Sequence, residues 1–361
     1  MLSDAAADAR PVDLRSDTVT RPDARMRRAM AEAEVGDDVF GEDPTVRRLQ
    51  DVVAEQLGTE AALFVPSGTM GNQIALHLAA EPGSEVWCAD DSHVVLYEMG
   101  AMAALSGLQA RTVAAPGGLL DAELLRRRLP APAPYRAPAR VLVVENTFNM
   151  AGGRVYDRER LDALLAVVAE RGLTAHLDGA RLWNAAVALG VEPAELTRGF
   201  ATVSVCLSKG LGAPVGSVLA GSRDAMTEAW RLRKMFGGGM RQVGVLAAAA
   251  LVALEEGAER LRADHRHARR LAEGLAEIVG LAVDPTAVET NIVLCRVEAT
   301  FFGETGAADG PGEAHRVVTA LADRGVLAIP TAADALRFVT HRDIGAQDID
   351  RALAAMRSLA A

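Results

Sequence analysis

Arg140-Val-Leu-Val-Val-Glu145 sets four apolar residues in a row between an arginine and a glutamate. A run this short and continuous suits a strand buried on both faces, as in a parallel sheet covered by helices. Its neighbours repeat the theme. Ala61–Val65, Glu85–Ala89, Gln109–Ala115, Leu173–Leu177 and Thr202–Leu207 read as further strands. Met70–Ala80, Val94–Leu105, Asp121–Leu129, Asp157–Arg171 and Arg181–Leu189 read as the helices between them. Such alternation demands crossover connections and predicts an α/β fold with a mostly parallel sheet.

After residue 222 the pattern changes. Two helical segments, Arg223–Met235 and Gln242–Leu254, lead into a charged helix around Leu261–Ile278. Strands are sparse beyond it (Asn291–Val297, Leu336–Thr340), with helices near Glu313–Asp323 and Gln347–Leu359. The expected organisation is an N-terminal arm over 1–24, a large domain over 25–257 and a small α+β domain over 258–361. Pro130–Pro138 and the glycine-rich Gly303–Gly312 read as surface loops.

Composition narrows the function classes. Half of the 361 residues are apolar and 24% are charged, which is globular composition. With 38 Lys+Arg against 48 Asp+Glu the net charge is −10, which disfavours nucleic acid as the main partner. Cys88, Cys206 and Cys295 lack metal-ligand spacing, so no metal centre is expected and a reducing compartment suits them. The opening Met-Leu-Ser-Asp-Ala-Ala-Ala-Asp lacks the basic start of a secretory signal. The longest apolar stretch, Val243–Leu254, falls short of the ~20 residues that span a bilayer. A cytoplasmic protein without membrane partners is the expectation.

In parallel α/β sheets ligands bind beyond the carboxyl ends of the strands, and four such exits carry unusual residues. Pro66-Ser-Gly-Thr-Met-Gly-Asn72 joins a strand to a helix start, where glycine permits close approach and free N–H groups favour phosphate. Taken alone it reads better as an ordinary capped turn, since Ser-Gly-Thr is common. Asp90-Asp-Ser-His93 offers a flat ring that could stack on a planar cofactor, though a lone histidine is more often structural. His176-Leu-Asp-Gly-Ala-Arg181 brings Asp178 out of an apolar strand, suited either to a cationic ring nitrogen or to a local ion pair with Arg181. Val205-Cys-Leu-Ser-Lys-Gly-Leu-Gly212 ends a strand on Lys209, whose desolvated amine suits Schiff-base chemistry. A phosphate cradle, a ring stacker, a carboxylate and a lysine in this order are what pyridoxal phosphate requires.

The chain also resembles the low-specificity L-threonine aldolases, within the beta-eliminating lyase/threonine aldolase group of fold type I (aspartate aminotransferase-like) enzymes. The resemblance is carried by Val12-Asp-Leu-Arg-Ser-Asp-Thr-Val-Thr20, Val35-Gly-Asp-Asp-Val-Phe-Gly-Glu-Asp-Pro44, Phe64–Gln73, His176–Arg181, Cys206–Gly216, Arg233-Lys-Met-Phe-Gly-Gly-Gly-Met-Arg-Gln242 and Leu336-Arg-Phe-Val-Thr-His341. It implies Lys209 as the covalent anchor of pyridoxal phosphate, Asp178 on its ring nitrogen and His93 stacked on the ring near the reacting hydroxyl. Gly68 and Thr69 would take the phosphate. Lys234 and Arg241 would reach the phosphate of a neighbouring subunit's cofactor, in a homotetramer with active sites at the dimer interface. Ser16, Arg181 and Arg337 would grip the substrate carboxylate, with Arg181 also beside the cofactor.

The implied reaction cleaves L-threonine, L-allo-threonine or a related β-hydroxy-α-amino acid to glycine and an aldehyde, with His93 as candidate base. Phe148 stands where the family usually has histidine, and Phe40 where tyrosine is usual. Both make the pocket more apolar and suggest phenylserine-like substrates. A lyase or racemase on the same scaffold, with aldol cleavage lost, is the alternative. A dinucleotide oxidoreductase would need Gly-x-Gly-x-x-Gly after the first strand, and none is there.

Overall fold

The computed structural model describes residues 10–299, 301–302 and 312–360. Contacts divide the chain into a large unit, residues 20–260, and a small unit that joins the residues up to 19 with those from 261 onward. Most of the Gly303–Gly312 loop lies outside the described residues.

The large unit is built on seven strands: β1 (Ala61–Val65), β2 (Glu85–Ala89), β3 (Gln109–Val113), β4 (Ala139–Glu145), β5 (Thr174–Gly179), β6 (Thr202–Cys206) and β7 (Ser217–Gly221). Their order across the sheet is β1-β7-β6-β5-β4-β2-β3. The strands β6-β5-β4-β2-β3 pair in parallel, and β7 runs antiparallel between β1 and β6. The sheet is therefore mostly parallel, as expected, with one reversed strand that the alternation did not reveal. Val141–Glu145 of β4 is fully buried, as its continuous apolar run requires.

Two of the helices that pack against this sheet bear on the site. α1 (Pro44–Leu57) precedes the alternating region and is not among the expected helices, although its ends carry ordinary signals. Asp43 caps the N–H groups of Thr45 and Val46, Pro44 opens the first turn, and Gly58 closes the helix at φ 63°. α2 (Gly68–Ala79) lies against β6. Its Leu76 packs with Val86, Cys88, Val141 and Val143, while Ile74 and Ala75 pack with Leu63, Val65 and Leu219.

The single helix expected over Val94–Leu105 is two short helices, His93–Leu96 and Ala101–Ser106. Between them Met99 (φ 55°) and Gly100 (φ 70°) are left-handed, which no α-helix accommodates. The break turns Glu98 inward, where it is 1% exposed. Conversely, the two segments expected over 242–278 are one helix, Gly244–Ala276. The gap between those two segments contains Glu255-Glu-Gly257. A Cβ at Gly257 would lie 2.5 Å from Leu211 Cδ2, so this glycine serves close packing and the helix runs on.

In the small unit Leu281–Ala282, Ile292–Val297, Ile329–Ala332 and Ala335–Val339 form an antiparallel sheet, and Val12–Asp13 pairs in parallel with Val326–Leu327. Val293, Leu336 and Phe338 pack there with Val317, Leu321, Ile349 and Leu353 from the helices Glu313–Ala322 and Ala346–Arg357. Among the described residues, no helix is long and apolar enough to cross a membrane.

Candidate active site

Register places the polar strand ends side by side. Glu145 at the end of β4 pairs with Asp178 on β5, and Asp178 pairs with Ser204 on β6. Lys209 follows three residues after β6, half-buried in a turn that Gly212 closes by donating its N–H to the Lys209 carbonyl at 2.8 Å.

Asp178 is 2% exposed, and its two oxygens accept different donors. Asn72 Nδ2 donates to Oδ2 at 2.8 Å, and the Ala180 backbone N–H donates to Oδ1 at 3.1 Å. The second N–H of Asn72 goes to Glu98 Oε1, also at 2.8 Å. Behind Asn72, His176 Nε2 lies 3.1 Å from Oδ1, and His176 Nδ1 lies 2.9 Å from the Thr202 hydroxyl. Burial pushes the His176 pKa down to about 4, so the ring is neutral near pH 7. A neutral ring facing an amide oxygen carries its proton on Nε2 and accepts the threonine hydroxyl at Nδ1.

Glu98 is the hub for His93. Its Oε1 accepts from His93 Nδ1 at 2.9 Å, and its Oε2 accepts from Gln73 Nε2 at 2.5 Å. Burial pulls the His93 pKa down and Lys209 opposes its charge. The Glu98 hydrogen bond, with the charges of Asp178 and Glu98, outweighs both and leaves the imidazole above its ordinary value. The His93 backbone N–H donates to Glu145 Oε2 at 2.8 Å, and Asn149 N donates to Oε1 at 2.9 Å. Burial, reinforced by Asp178, nevertheless pushes the Glu145 pKa up to about 7. His93, Glu98 and Asp178 each offer a ligand atom within 4.8 Å of the others. The Glu98 and His93 atoms are already engaged with each other and with Asn72, which fits a hydrogen-bonded network better than an ion.

The start of α2 approaches the sheet closely. Ser67 Oγ caps the Met70 N–H at 3.2 Å, leaving Gly68 and Thr69 half-buried in the first turn. A Cβ at Gly68 would stand 2.8 Å from Cys206 Sγ, and one at Gly71 2.5 Å from Ser204 Oγ. Both glycines are therefore dictated by the helix-to-strand approach as well as by any anion.

The remaining expected residues are more scattered. Arg181 is buried and donates to Asn149 Oδ1 at 3.2 Å. Phe148 is buried, whereas Phe40 is 73% exposed. Lys234 is exposed, and exposed Arg241 pairs with Asp37 at 2.9 Å. Ser16 and Arg337 belong to the small unit, where Arg337 is level with Leu294 in the sheet. Asn72, Gln73, Glu98, His176 and Arg233 join the expected residues as support that sequence reasoning missed. Arg233 is 1% exposed and donates to the Phe64 carbonyl at 2.8 Å and to Asp38 Oδ2 at 2.6 Å. A cavity of about 200 Å³ between Pro130, Arg136, Arg140 and Arg171 shares no residue with this cluster.

The donor set suits pyridoxal phosphate. Asp178 accepts a single bond at each oxygen, leaving lone pairs for a ring N–H. The charge of Lys209 acts on His93 of the same cluster, and a helix start free of Cβ atoms at Gly68 and Gly71 supplies backbone donors. Fold and site together define a pyridoxal phosphate enzyme of the aspartate aminotransferase-like class.

Comparison with known proteins agrees and goes further. The model of the beta-eliminating lyase family matches residues 13–299, and the chain belongs to that family. It is 43% identical to low-specificity L-threonine aldolase 1 of Arabidopsis thaliana over 94% of each chain. It is 41% identical to the low specificity L-threonine aldolase of Escherichia coli K12, over 97% of this chain and 99% of that one. The solved Leishmania major threonine aldolase shares the fold with a TM-score of 0.80 at 21% identity, covering 97% of this chain and all of the other.

Proposed function

We propose that the protein is an aldolase that cleaves L-threonine and related β-hydroxy-α-amino acids to glycine and an aldehyde. The observation that carries the reading is buried Asp178, held by Asn72 at 2.8 Å at a strand exit, with Lys209 three residues beyond the end of the neighbouring strand. When bound, the coenzyme supplies a protonated ring that accepts the electron pair of the cleaved Cα–Cβ bond.

The chain's own residues divide the remaining work. Lys209 would offer the amine that holds the coenzyme. Asp178 would accept the ring N–H at the lone pairs that Asn72 and Ala180 leave open. Gly68 and Thr69 would hold the phosphate, and His93 would lie over the ring. Arg181 orients the substrate carboxylate through its guanidinium fork, with Ser16 and Arg337 proposed on sequence grounds alone. Because Nδ1 of His93 is bound to Glu98, Nε2 is the atom left to take the β-hydroxyl proton as the bond breaks. Exposed Lys234 and Arg241 are proposed to reach a second copy's phosphate, in a cytoplasmic homotetramer with active sites at the dimer interface. Apolar Phe148 and Phe40 favour a bulky aldehyde partner.

Incubation with L-threonine, L-allo-threonine and L-β-phenylserine, quantifying glycine and each aldehyde, tests the reading. Glycine with a stoichiometric aldehyde supports it. A keto acid or a D-amino acid without glycine assigns a lyase or racemase instead. If kcat/KM for threonine exceeds that for phenylserine, the bulky-partner reading fails while aldol cleavage stands.

A further inference from the structure

Asn72 has two side-chain N–H groups, and both are committed. They go to carboxylates with different tasks, Asp178 and Glu98, at 2.8 Å each. The amide cannot turn over. Turned, its oxygen would face two carboxylates and its NH₂ would face the Nε2–H of His176, which now lies 3.1 Å from Oδ1. Burial keeps His176 neutral, with its pKa at about 4, so the Thr202–His176–Asn72 chain fixes an orientation and moves no proton. The backbone is equally constrained, because Gly71 lets α2 approach within 2.5 Å of Ser204 Oγ as measured from a Cβ it lacks.

We propose that Asn72 is a positioning residue whose single amide holds Asp178 for the coenzyme ring nitrogen and Glu98 for His93 at the same time. The proposal rests on the assignment of Asp178 to that nitrogen. Its chemistry is specific. A neutral donor fills a carboxylate lone pair without cancelling the charge, so each anion keeps its charge for its own cation. An arginine or lysine at this place would neutralise both. A serine would serve only one. The charged and titratable groups around Asp178 are Glu145 on β4, His176 on β5, and Glu98 and His93 from the segment after β2, while the charge of Lys209 after β6 acts on His93.

The test compares Asn72→Leu, Asn72→Ser and Asp178→Asn with the parent, each loaded with pyridoxal phosphate. Three quantities are measured: the coenzyme dissociation constant, the pH at which the bound coenzyme's absorbance changes, and the melting temperature of the coenzyme-free form. Both Asn72 variants are expected to bind coenzyme about tenfold more weakly or worse. Their absorbance transition is expected to move by about half a pH unit or more. A purely structural role would lower only the melting temperature, so parental affinity and spectrum in either folded variant overturn the proposal. Should Leu fail to fold, Ser decides. Failure of both to fold assigns Asn72 a structural role and also overturns it. Parental spectrum and affinity in Asp178→Asn would show instead that the ring-nitrogen assignment is wrong.

Discussion

His93 Nδ1 lies 2.9 Å from Glu98 Oε1, and Glu98 is itself fully enclosed by Asn72 and Gln73. The carboxylate fixes the ring's tautomer and, with Asp178, raises its pKa against the opposing pull of burial. In Glu98→Gln the hydrogen bond survives as a neutral one and the charge is lost. The His93 pKa then falls, so the base is free of its proton at lower pH. The acid limb of kcat/KM is expected to move down by about half to one pH unit. The plateau is expected to fall about tenfold, as a weaker and less firmly oriented base requires. A pH–rate profile of the coenzyme-loaded variant checks both, and an unmoved acid limb would separate His93 from the proton transfer.

Glu145 gives a pH dependence of stability with the opposite sense from that of most carboxylates. Burial and the neighbouring Asp178 push its pKa up to about 7 in the folded state. The folded protein therefore holds a proton that the unfolded chain has already released above its ordinary carboxylate value. Stability contributed by this group is greatest at acid pH and declines as pH rises toward 7, then levels off. Glu145→Gln is expected to gain stability relative to the parent between about pH 5 and pH 8, by up to about 3 kcal/mol. Urea unfolding of both proteins at the two pH values, at one fixed coenzyme concentration, measures the difference. Parallel behaviour would show that Glu145 ionises normally.

The approach of α2 to β6 leaves no room for a methyl group at Gly71, where a Cβ would meet Ser204 Oγ at 2.5 Å. Gly71→Ala is expected to cost about 1–3 kcal/mol, the usual cost of overpacking. It should also weaken coenzyme binding, because Asn72 is the next residue. Ser204→Ala in the same chain removes the clashing oxygen and should recover at least part of both losses. Denaturant midpoints and coenzyme titration of the single and double variants decide it. Independent, additive effects would mean that the helix shifts freely and that the contact is not limiting.

The strands are legible where burial on both faces writes itself as a continuous apolar run. Ala61–Val65 and Glu85–Ala89 have the same bounds in sequence and in structure. β7 escapes because its apolar run Val218-Leu-Ala220 is only three residues between Ser217 and Gly221, and the chain reverses into it without a helix. At the site, Asp178, His93 and Lys209 stand out because charged groups at strand exits are unusual. Asn72 and Glu98 do not. Asn72 is one polar residue on a buried helix face, and its partner Asp178 lies 106 positions away. Glu98 reaches its partners only because Met99 and Gly100 break a helix that local propensity continues. Periodicity carries no sign of either event.

Arg233 sits one residue before Lys234, and the two have opposite surroundings. Lys234 is exposed, while Arg233 is 1% exposed and ties Asp38 to the Phe64 carbonyl near the end of β1. Phe64 and Asp38 flank the start of α2 and the segment that carries Phe40, so the guanidinium braces backbone next to the phosphate cradle. Removing one partner of a buried ion pair leaves the other charge unpaired, which costs about 3–5 kcal/mol. Arg233→Met is expected to lose stability in that range, and adding Asp38→Asn should return a substantial share by removing the stranded charge. Lys234→Met, by contrast, should leave unfolding within about 0.5 kcal/mol of the parent. Equal losses for Arg233→Met with and without Asp38→Asn would mean that the arginine acts through Phe64 alone.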